Sequence, residues 1–144
     1  MKKLLMLLVV FGAALFTLTG CSSYKSYTYD VNTGDKIEVK LKTDDGYDIT
    51  SGSPFEIKKD DKTLSTGMFI TLDGYNQYLE AWKDVTKIES TTKGNLEYSF
   101  YNVNNQEWDY VIKIKDSNTG ILLGNPNSEA EAKEVFERLT FTKK

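Results

Sequence analysis

The feature that most constrains the fold of this chain is a period-two alternation of apolar and polar residues in several short segments. The clearest examples are residues 95–103, NLEYSFYNV, and residues 107–115, EWDYVIKIK, which are separated by NNQ. Successive side chains of a β-strand point to opposite faces, so each segment has one apolar and one polar face. The two segments therefore predict an antiparallel hairpin. Residues 36–42, KIEVKLK, alternate as strictly and predict another half-buried strand.

Two segments instead carry the 3.6-residue period of an amphipathic helix. From about residue 74 to residue 84, apolar side chains recur at i, i+3, i+4 and i+7, with Asp73 as the predicted N-cap. Near the C-terminus, Ser128 is followed three residues later by Glu131, the pattern of a capping box. These patterns predict two helices among the strands.

Antiparallel strands interrupted by two helices predict an α+β domain, in which an antiparallel β-sheet packs with two amphipathic helices. The layout resembles the PsbP-like fold, on the hairpin 95–115, the short strand 121–123 and the closing segment SEAEAKEVFERLTF. That family includes photosystem extrinsic subunits and many bacterial lipoproteins of unassigned role. The resemblance implies a PsbP-like sandwich and carries over no catalytic residue.

The N-terminus has the organisation of an export signal. The chain opens MKK and continues with an uncharged apolar run, residues 4–18, which is shorter than the roughly 20 residues that span a bilayer. The run ends in a segment that resembles the lipobox of bacterial lipoproteins: Leu18, Thr19, Gly20 and Cys21. In that family the cysteine sulfur receives a diacylglyceryl group, and cleavage makes the cysteine the new N-terminus. The alternatives are an ordinary signal peptide with an incidental cysteine, or a buried free thiol.

The lipoprotein interpretation divides the chain into three parts. Residues 1–20 are the predicted lipoprotein signal peptide, residues 21–29 the lipidated N-terminus with a short tether, and residues 30–144 a single domain. The bilayer is then a partner through diacylglyceryl-Cys21. The predicted location is the extracytoplasmic face of the cell membrane, or the outer membrane if the envelope is double.

Composition narrows the chemistry. The chain has no histidine, so the commonest general base and the commonest metal ligand are both missing. Acylation of Cys21, the only cysteine, would leave no redox thiol. The net charge is −3, and no basic patch with interleaved aromatic residues is present, which argues against a nucleic-acid partner. We predict no catalytic residue, no metal site and no cofactor.

Aromatic residues are the first candidates for a binding site. Some share a helix face and others share a strand face, and rings exposed in this way would stack on sugars or hold a peptide. The alternative is core packing. The candidate ligand-binding aromatics are Tyr75, Tyr78, Trp82, Trp108 and Tyr110. Other tyrosines fall outside these stripes and are expected to be partly exposed: Tyr24, Tyr27, Tyr29 and Tyr101.

Acidic turns are candidates for calcium, which prefers clustered oxygen ligands. Asp44, Asp45 and Asp48 lie in one such turn, for which a solvated Asp-Gly turn is the alternative. The segment beginning at Asp116 resembles the start of a calcium loop. It lacks the glycine at the sixth position and the glutamate at the twelfth position that an EF-hand requires, so an EF-hand is rejected.

Carboxylates on strands are the last candidates. A glycosidase needs two carboxyl groups that flank the scissile bond, one of them with a raised pKa. Glu97, Glu107 and Asp109 are the strand carboxylates to consider, and their positions opposite the apolar faces predict that all three are exposed. We therefore expect a membrane-anchored, non-catalytic binding or accessory module that meets an envelope protein or a cell-wall ligand. The alternatives are a wall- or glycan-directed hydrolase and a structural subunit of an envelope complex.

Overall fold

A computed structural model describes residues 23–144. The predicted signal peptide and the lipobox with Cys21 lie outside the described residues. Within the described part, a short 3-10 turn at Asp44–Gly46 lies between the second and third strands. The strands and α-helices follow in this order: β1 Tyr24–Asp30, β2 Lys36–Lys42, β3 Tyr47–Ile49, β4 Phe55–Lys59, β5 Lys62–Thr71, α1 Leu72–Ala81, β6 Thr86–Lys93, β7 Leu96–Val103, β8 Glu107–Ile114, β9 Thr119–Asn125, α2 Glu129–Glu137 and β10 Leu139–Lys143.

The strands form two antiparallel sheets. The smaller sheet has the order β1-β2-β10, and the larger has the order β3-β4-β5-β9-β8-β7-β6. The predicted hairpin forms the β7–β8 pair, with Tyr98 opposite Ile112 and Phe100 opposite Tyr110. The predicted strand at residues 36–42 is confirmed as β2, the centre of the smaller sheet.

The predicted α+β class with a PsbP-like sandwich is wrong. The described residues are 56% strand and 18% helix, arranged as two antiparallel sheets with only two α-helices. The error comes from segments with weak alternation. Residues 24–30, which include most of the predicted tether at 21–29, form β1 and pair along their whole length with β2. Edge strands of this kind need only one partner, so their own sequences carry little of the burial signal.

The main core lies between the two sheets and is closed at one side by α2. The inward residues of β2 are fully buried. Aromatic rings pack between the layers. The ring centres of Phe55 and of Phe141 in the smaller sheet are 6.4 Å apart, and the ring of Phe136 in α2 stacks on that of Tyr110 with 4.1 Å between their centres. Gly67 of β5 is required here, because a Cβ at this position would overlap the ring of Phe55. The apolar faces predicted from the alternation therefore meet across the two sheets.

A second, smaller core lies on the opposite face of the larger sheet, under α1. Tyr75 of this helix packs with Tyr101 and Val111, and Trp82 contacts Tyr101 edge to face at 5.3 Å. The helix begins two residues earlier than predicted. Its N-cap is Thr71, whose Oγ1 accepts a hydrogen bond from the backbone N–H of residue 74 at 3.0 Å, so the predicted cap at Asp73 is wrong.

Helix α2 begins where its sequence indicates. The Ser128 Oγ accepts a hydrogen bond from the Glu131 backbone N–H at 3.1 Å, which confirms one half of the predicted capping box. The Glu131 carboxylate does not return this contact to Ser128. It accepts hydrogen bonds from the side-chain amides of Asn125 and Asn127 instead. Neither helix in the described part of the chain is long and apolar enough to cross a bilayer.

Candidate functional site

A groove on the outer face of the larger sheet, the face that carries α1, is the best candidate for a functional site. Its cavity has a volume of about 330 Å³ and lies over β5, β9 and β8. We call it the acidic groove, after the one charged residue on its wall. It is lined by Pro54, Thr66, Met68, Glu107, Leu122, Gly124 and Pro126. Met68 is 39% exposed, an unusual exposure for a large apolar side chain in the described domain.

Strand register brings two carboxyl groups together beside this groove, with Glu107 on its wall and Asp109 buried next to it. Glu107 and Asp109 are two residues apart on β8, so their side chains lie on the same face. Gly124 of β9 lies directly opposite Asp109 and has no side chain to separate them. The Cβ position of a residue at 124 would lie 2.7 Å from the Glu107 Oε1 and 2.8 Å from the Asp109 Oδ1. The two carboxyl oxygens therefore converge on one point above Gly124.

The two carboxyl groups differ in their surroundings. Glu107 is exposed, whereas Asp109 is only 4% exposed, between Tyr101 of β7 and Gly124 of β9. Burial raises the pKa of Asp109 to about 8, and the charge and hydrogen bonding of Glu107 act in the same direction. A backbone hydrogen bond at Asn125 opposes this shift without reversing it. At neutral pH Asp109 therefore keeps its proton beside the neighbouring carboxyl group.

A buried acid of this kind needs a hydrogen-bonding partner. The Asp109 Oδ1 has none among the described residues unless the carboxyl is protonated and shares its proton with Glu107. The prediction that all three strand carboxylates are exposed holds for Glu97 and Glu107 and is wrong for Asp109. Alternation correctly placed Asp109 on the face opposite the main core. The alternation within β8 does not show whether neighbouring strands cover that position.

The candidate aromatic residues do not form one surface. Trp108 and Tyr110 contribute to the main core, whereas the three aromatic residues of the α1 segment belong to the second core on the other side of the sheet. Tyr75 and Tyr110 are buried, and the other three are half-buried. Their packing matches the alternative interpretation as core residues.

Other tyrosines also differ from expectation. Tyr101 is 1% exposed and Tyr29 is 8% exposed, so the prediction that these two side chains are partly exposed is wrong. Tyr27 is half-buried and Tyr24 is 59% exposed, as expected.

The acidic turn is held by cationic side chains. Arg138, just after α2, donates hydrogen bonds to Asp44 at 2.9 Å and to Asp45 at 3.0 Å, and its guanidinium lies 3.9 Å from the centre of the Tyr47 ring. Asp48 pairs with Lys25 at 2.8 Å. Across residues 23–144, no three acidic side chains are arranged to hold a metal ion. The turn serves to connect α2 to the region between the two sheets.

A second cavity of about 270 Å³ lies beside the β1–β2 turn, with Tyr29, Asp30 and Thr33 among its lining residues. The buried acid Asp35 follows Thr33 in this turn, and its Oδ2 accepts hydrogen bonds from the Asn118 backbone N–H at 2.7 Å and from the Thr119 hydroxyl at 2.8 Å. Burial opposes the charged form. These hydrogen bonds and the nearby Lys143 nevertheless lower the pKa of Asp35 overall. Asp35 thus connects the two sheets as an ion-paired structural residue.

The fold and the site together define a class: an antiparallel two-sheet β-sandwich domain with an acidic groove on its outer face. No family model matches the sequence, and neither a curated protein nor a solved structure shows significant similarity to this chain.

Proposed function

We propose that this chain is a membrane-anchored, extracytoplasmic lipoprotein that acts as a non-catalytic binding module, with the acidic groove as its recognition site. The observation that supports this role for the groove is the convergence of the Glu107 and Asp109 carboxyl oxygens above Gly124. The groove combines this polar point with the apolar side chains of Met68 and Leu122. Binding sites in proteins commonly combine apolar walls with a few converging polar groups.

The anchor part of the proposal depends on the motif Leu18-Thr19-Gly20-Cys21. A diacylglyceryl group supplies two acyl chains, and each buried methylene contributes about 0.8 kcal/mol, so attachment at Cys21 would be stable. The test is Cys21→Ser in the full chain. The variant is expected to remain unprocessed and to incorporate no labelled fatty acid. Normal processing with fatty-acid incorporation in this variant would refute the anchor.

The chemistry of the groove favours a ligand that donates hydrogen bonds or carries a positive charge. The Glu107 carboxylate is exposed on the wall of the groove, whereas its neighbour Asp109 is covered from water. A primary amine or a guanidinium would pair with the Glu107 carboxylate, while an attached apolar segment would contact Met68 and Leu122. An envelope protein with an exposed basic side chain, or a cell-wall ligand with an amino group, fits this description.

A glycan-directed hydrolase is the second candidate, because the raised pKa of Asp109 makes this residue a proton donor at neutral pH beside a second carboxyl group. The geometry favours binding. Glycosidase carboxyl groups are placed on either side of the scissile bond, whereas Glu107 and Asp109 approach one point from the same strand.

A photo-crosslinking residue placed at Thr66, on the wall of the groove, tests the proposal in intact cells. The control position is Thr91, which is exposed on the edge strand β6. We expect a discrete adduct from position 66 that weakens when Glu107→Gln is added, and no such adduct from position 91. Adducts that are equal at both positions, or unaffected by Glu107→Gln, would refute recognition in the groove. Turnover of cell-wall glycan that is lost in Asp109→Asn would favour the hydrolase instead.

A further inference from the structure

The outer face of the three-stranded sheet is formed by the outward residues of β1, β2 and β10. Its residues alternate with the buried ones, because β2 places Ile37, Val39 and Leu41 inward. The strand register aligns the outward residues in rows, with Tyr24 opposite Lys42 and Ser26 opposite Lys40. The outer face consists of Tyr24, Ser26, Thr28, Asp30, Lys36, Glu38, Lys40, Lys42, Thr140 and Thr142.

Charge is distributed unevenly along this face. Its two acids lie at one end and are already paired: Asp30 with Lys36 at 3.4 Å, and Glu38 with Lys144 at 3.5 Å. The other end carries Lys40 and Lys42, and no acid of the face lies at that end. Within residues 23–144, one carboxylate of the adjoining turn forms an ion pair with Lys42.

That carboxylate belongs to Asp44, which lies 3.9 Å from the Lys42 nitrogen and 2.9 Å from Arg138. The nitrogen of Lys40 lies 5.9 Å from the centre of the Tyr24 ring, which is 59% exposed. This end of the face therefore presents an exposed aromatic ring among cationic side chains, although the whole chain has a net charge of −3.

The position of the predicted anchor places this end of the sheet beside the membrane. Ser23 is already fixed to the sheet, because its carbonyl accepts a hydrogen bond from the Thr43 backbone N–H at 2.8 Å. Cys21 is two residues earlier, so fully extended geometry allows about 7 Å between the two Cα atoms. The lysines beside Tyr24 would then lie within roughly one Debye length, about 8 Å at physiological salt, of the lipid headgroups.

We propose that the Tyr24–Lys40–Lys42 end of this face is a docking surface for an anionic lipid bilayer. The inference rests on the proposed anchor at Cys21. Lysines near a membrane are attracted to anionic headgroups, and tyrosine side chains favour the interfacial zone. Because the anchor keeps the domain at the membrane, docking is an intramolecular step, and a few weak contacts are enough to orient it.

This docking sets the direction in which the acidic groove opens. The groove lies on the outer face of the larger sheet, and the main core lies between that sheet and the three-stranded one. With the three-stranded sheet against the lipid, the groove faces away from the bilayer, on the extracytoplasmic side. The orientation would thus leave Glu107 accessible to a partner.

Site-directed spin labelling of the acylated full chain tests the proposal. Because Cys21 is the only natural cysteine and its sulfur would be acylated, Ser26→Cys gives a single labelling site on the face, and Thr91→Cys gives a control site on β6. The proteins are reconstituted in phosphatidylcholine vesicles with or without phosphatidylglycerol. We expect a water-soluble nickel complex to collide less with the label at position 26 than with the label at position 91. The difference is expected to grow with phosphatidylglycerol.

Charge reversal separates docking from simple proximity to the membrane. Lys40→Glu combined with Lys42→Glu is expected to raise nickel access at position 26 to the value at position 91. A matched control with the same charge change, Lys62→Glu with Lys115→Glu, is expected to leave access unchanged. Circular dichroism of each variant checks the fold, and Lys40→Gln with Lys42→Gln replaces any variant that misfolds.

The outcomes distinguish this surface from the anchor. Equal nickel access at positions 26 and 91 in protein that sediments with the vesicles would overturn the docking surface and leave the anchor intact. A Cys21 thiol that reacts with maleimide in protein left in the supernatant would overturn both the anchor and the surface.

Discussion

Replacing Asp109 by asparagine is expected to change how the stability of the fold depends on pH. Burial raises the pKa of Asp109 from 3.8 to about 8 in the folded chain. Between these values the folded state holds a proton that the unfolded state has released. The free energy of unfolding therefore falls as pH rises through this window, by about 1.4 kcal/mol per pH unit for one proton. Below the window both states are protonated, and above it both are ionised, so this contribution becomes constant.

Asparagine has nearly the same shape as protonated aspartic acid and retains a donor toward Glu107. It does not titrate, so the Asp109→Asn variant lacks this decline in stability. Near pH 4 the two proteins should differ little. At pH 7 the variant is expected to be more stable by up to about 4 kcal/mol, which is the slope of about 1.4 kcal/mol per pH unit accumulated from pH 4 to pH 7.

Urea unfolding at a series of pH values from 4 to about 9 measures this difference, with tryptophan fluorescence as the signal. Glu97→Gln removes an exposed carboxyl group from the neighbouring strand and is the control for charge alone. Glu107→Gln should lower the upper limit of the pH range over which stability falls, because loss of a neighbouring carboxylate lowers the pKa of Asp109 in the folded chain. Parallel curves of stability against pH for the parent and Asp109→Asn would refute the reasoning.

Substitutions at three further positions test the packing. Gly67→Ala is expected to destabilise the fold by about 1–3 kcal/mol, because its Cβ would overlap the buried Phe55 ring; an unchanged melting temperature would contradict this. Phe136→Ala, which removes a ring stacked on Tyr110, is expected to lower the free energy of unfolding in urea by about 3–5 kcal/mol, and a loss below 1 kcal/mol would count against the stacked core. Arg138→Ala should cost about 1.5–3 kcal/mol in the same assay, and Arg138→Lys should restore only part of it, since one ammonium cannot replace the guanidinium contacts; full restoration by lysine would contradict those contacts.

The sequence pattern predicts an element correctly where the interactions that form it join residues close together in the chain. The β7–β8 hairpin was predicted because two alternating segments flank a short turn, and pairing across a short turn needs no distant contact. The start of α2 was predicted from Ser128, because an N-cap hydrogen bond spans only three residues. In both cases the interacting residues lie within the same short segment whose pattern makes the prediction.

Edge strands and the number of sheets were not predictable in this way. Seven of the eight residues in β6 are exposed. The strand therefore needs no apolar face, and its sequence shows little alternation of apolar and polar residues. Strand β1 became part of the smaller sheet through pairing with β2, although its polar sequence resembles a tether. Whether β2 joins the larger sheet or begins a second one depends on which strands it meets.

For the candidate site, the two-residue period of a strand is a local property, and it is enough to predict the side of β8 on which Glu107 and Asp109 lie. The only cysteine is likewise found in a lipobox-like segment by local pattern. The positions of Gly124 opposite Asp109 and of Tyr101 on its other side depend instead on how β8 pairs with β9 and β7. Burial is set by residues brought from other strands, and so the same alternation that predicted an exposed acid led to a buried one with a raised pKa.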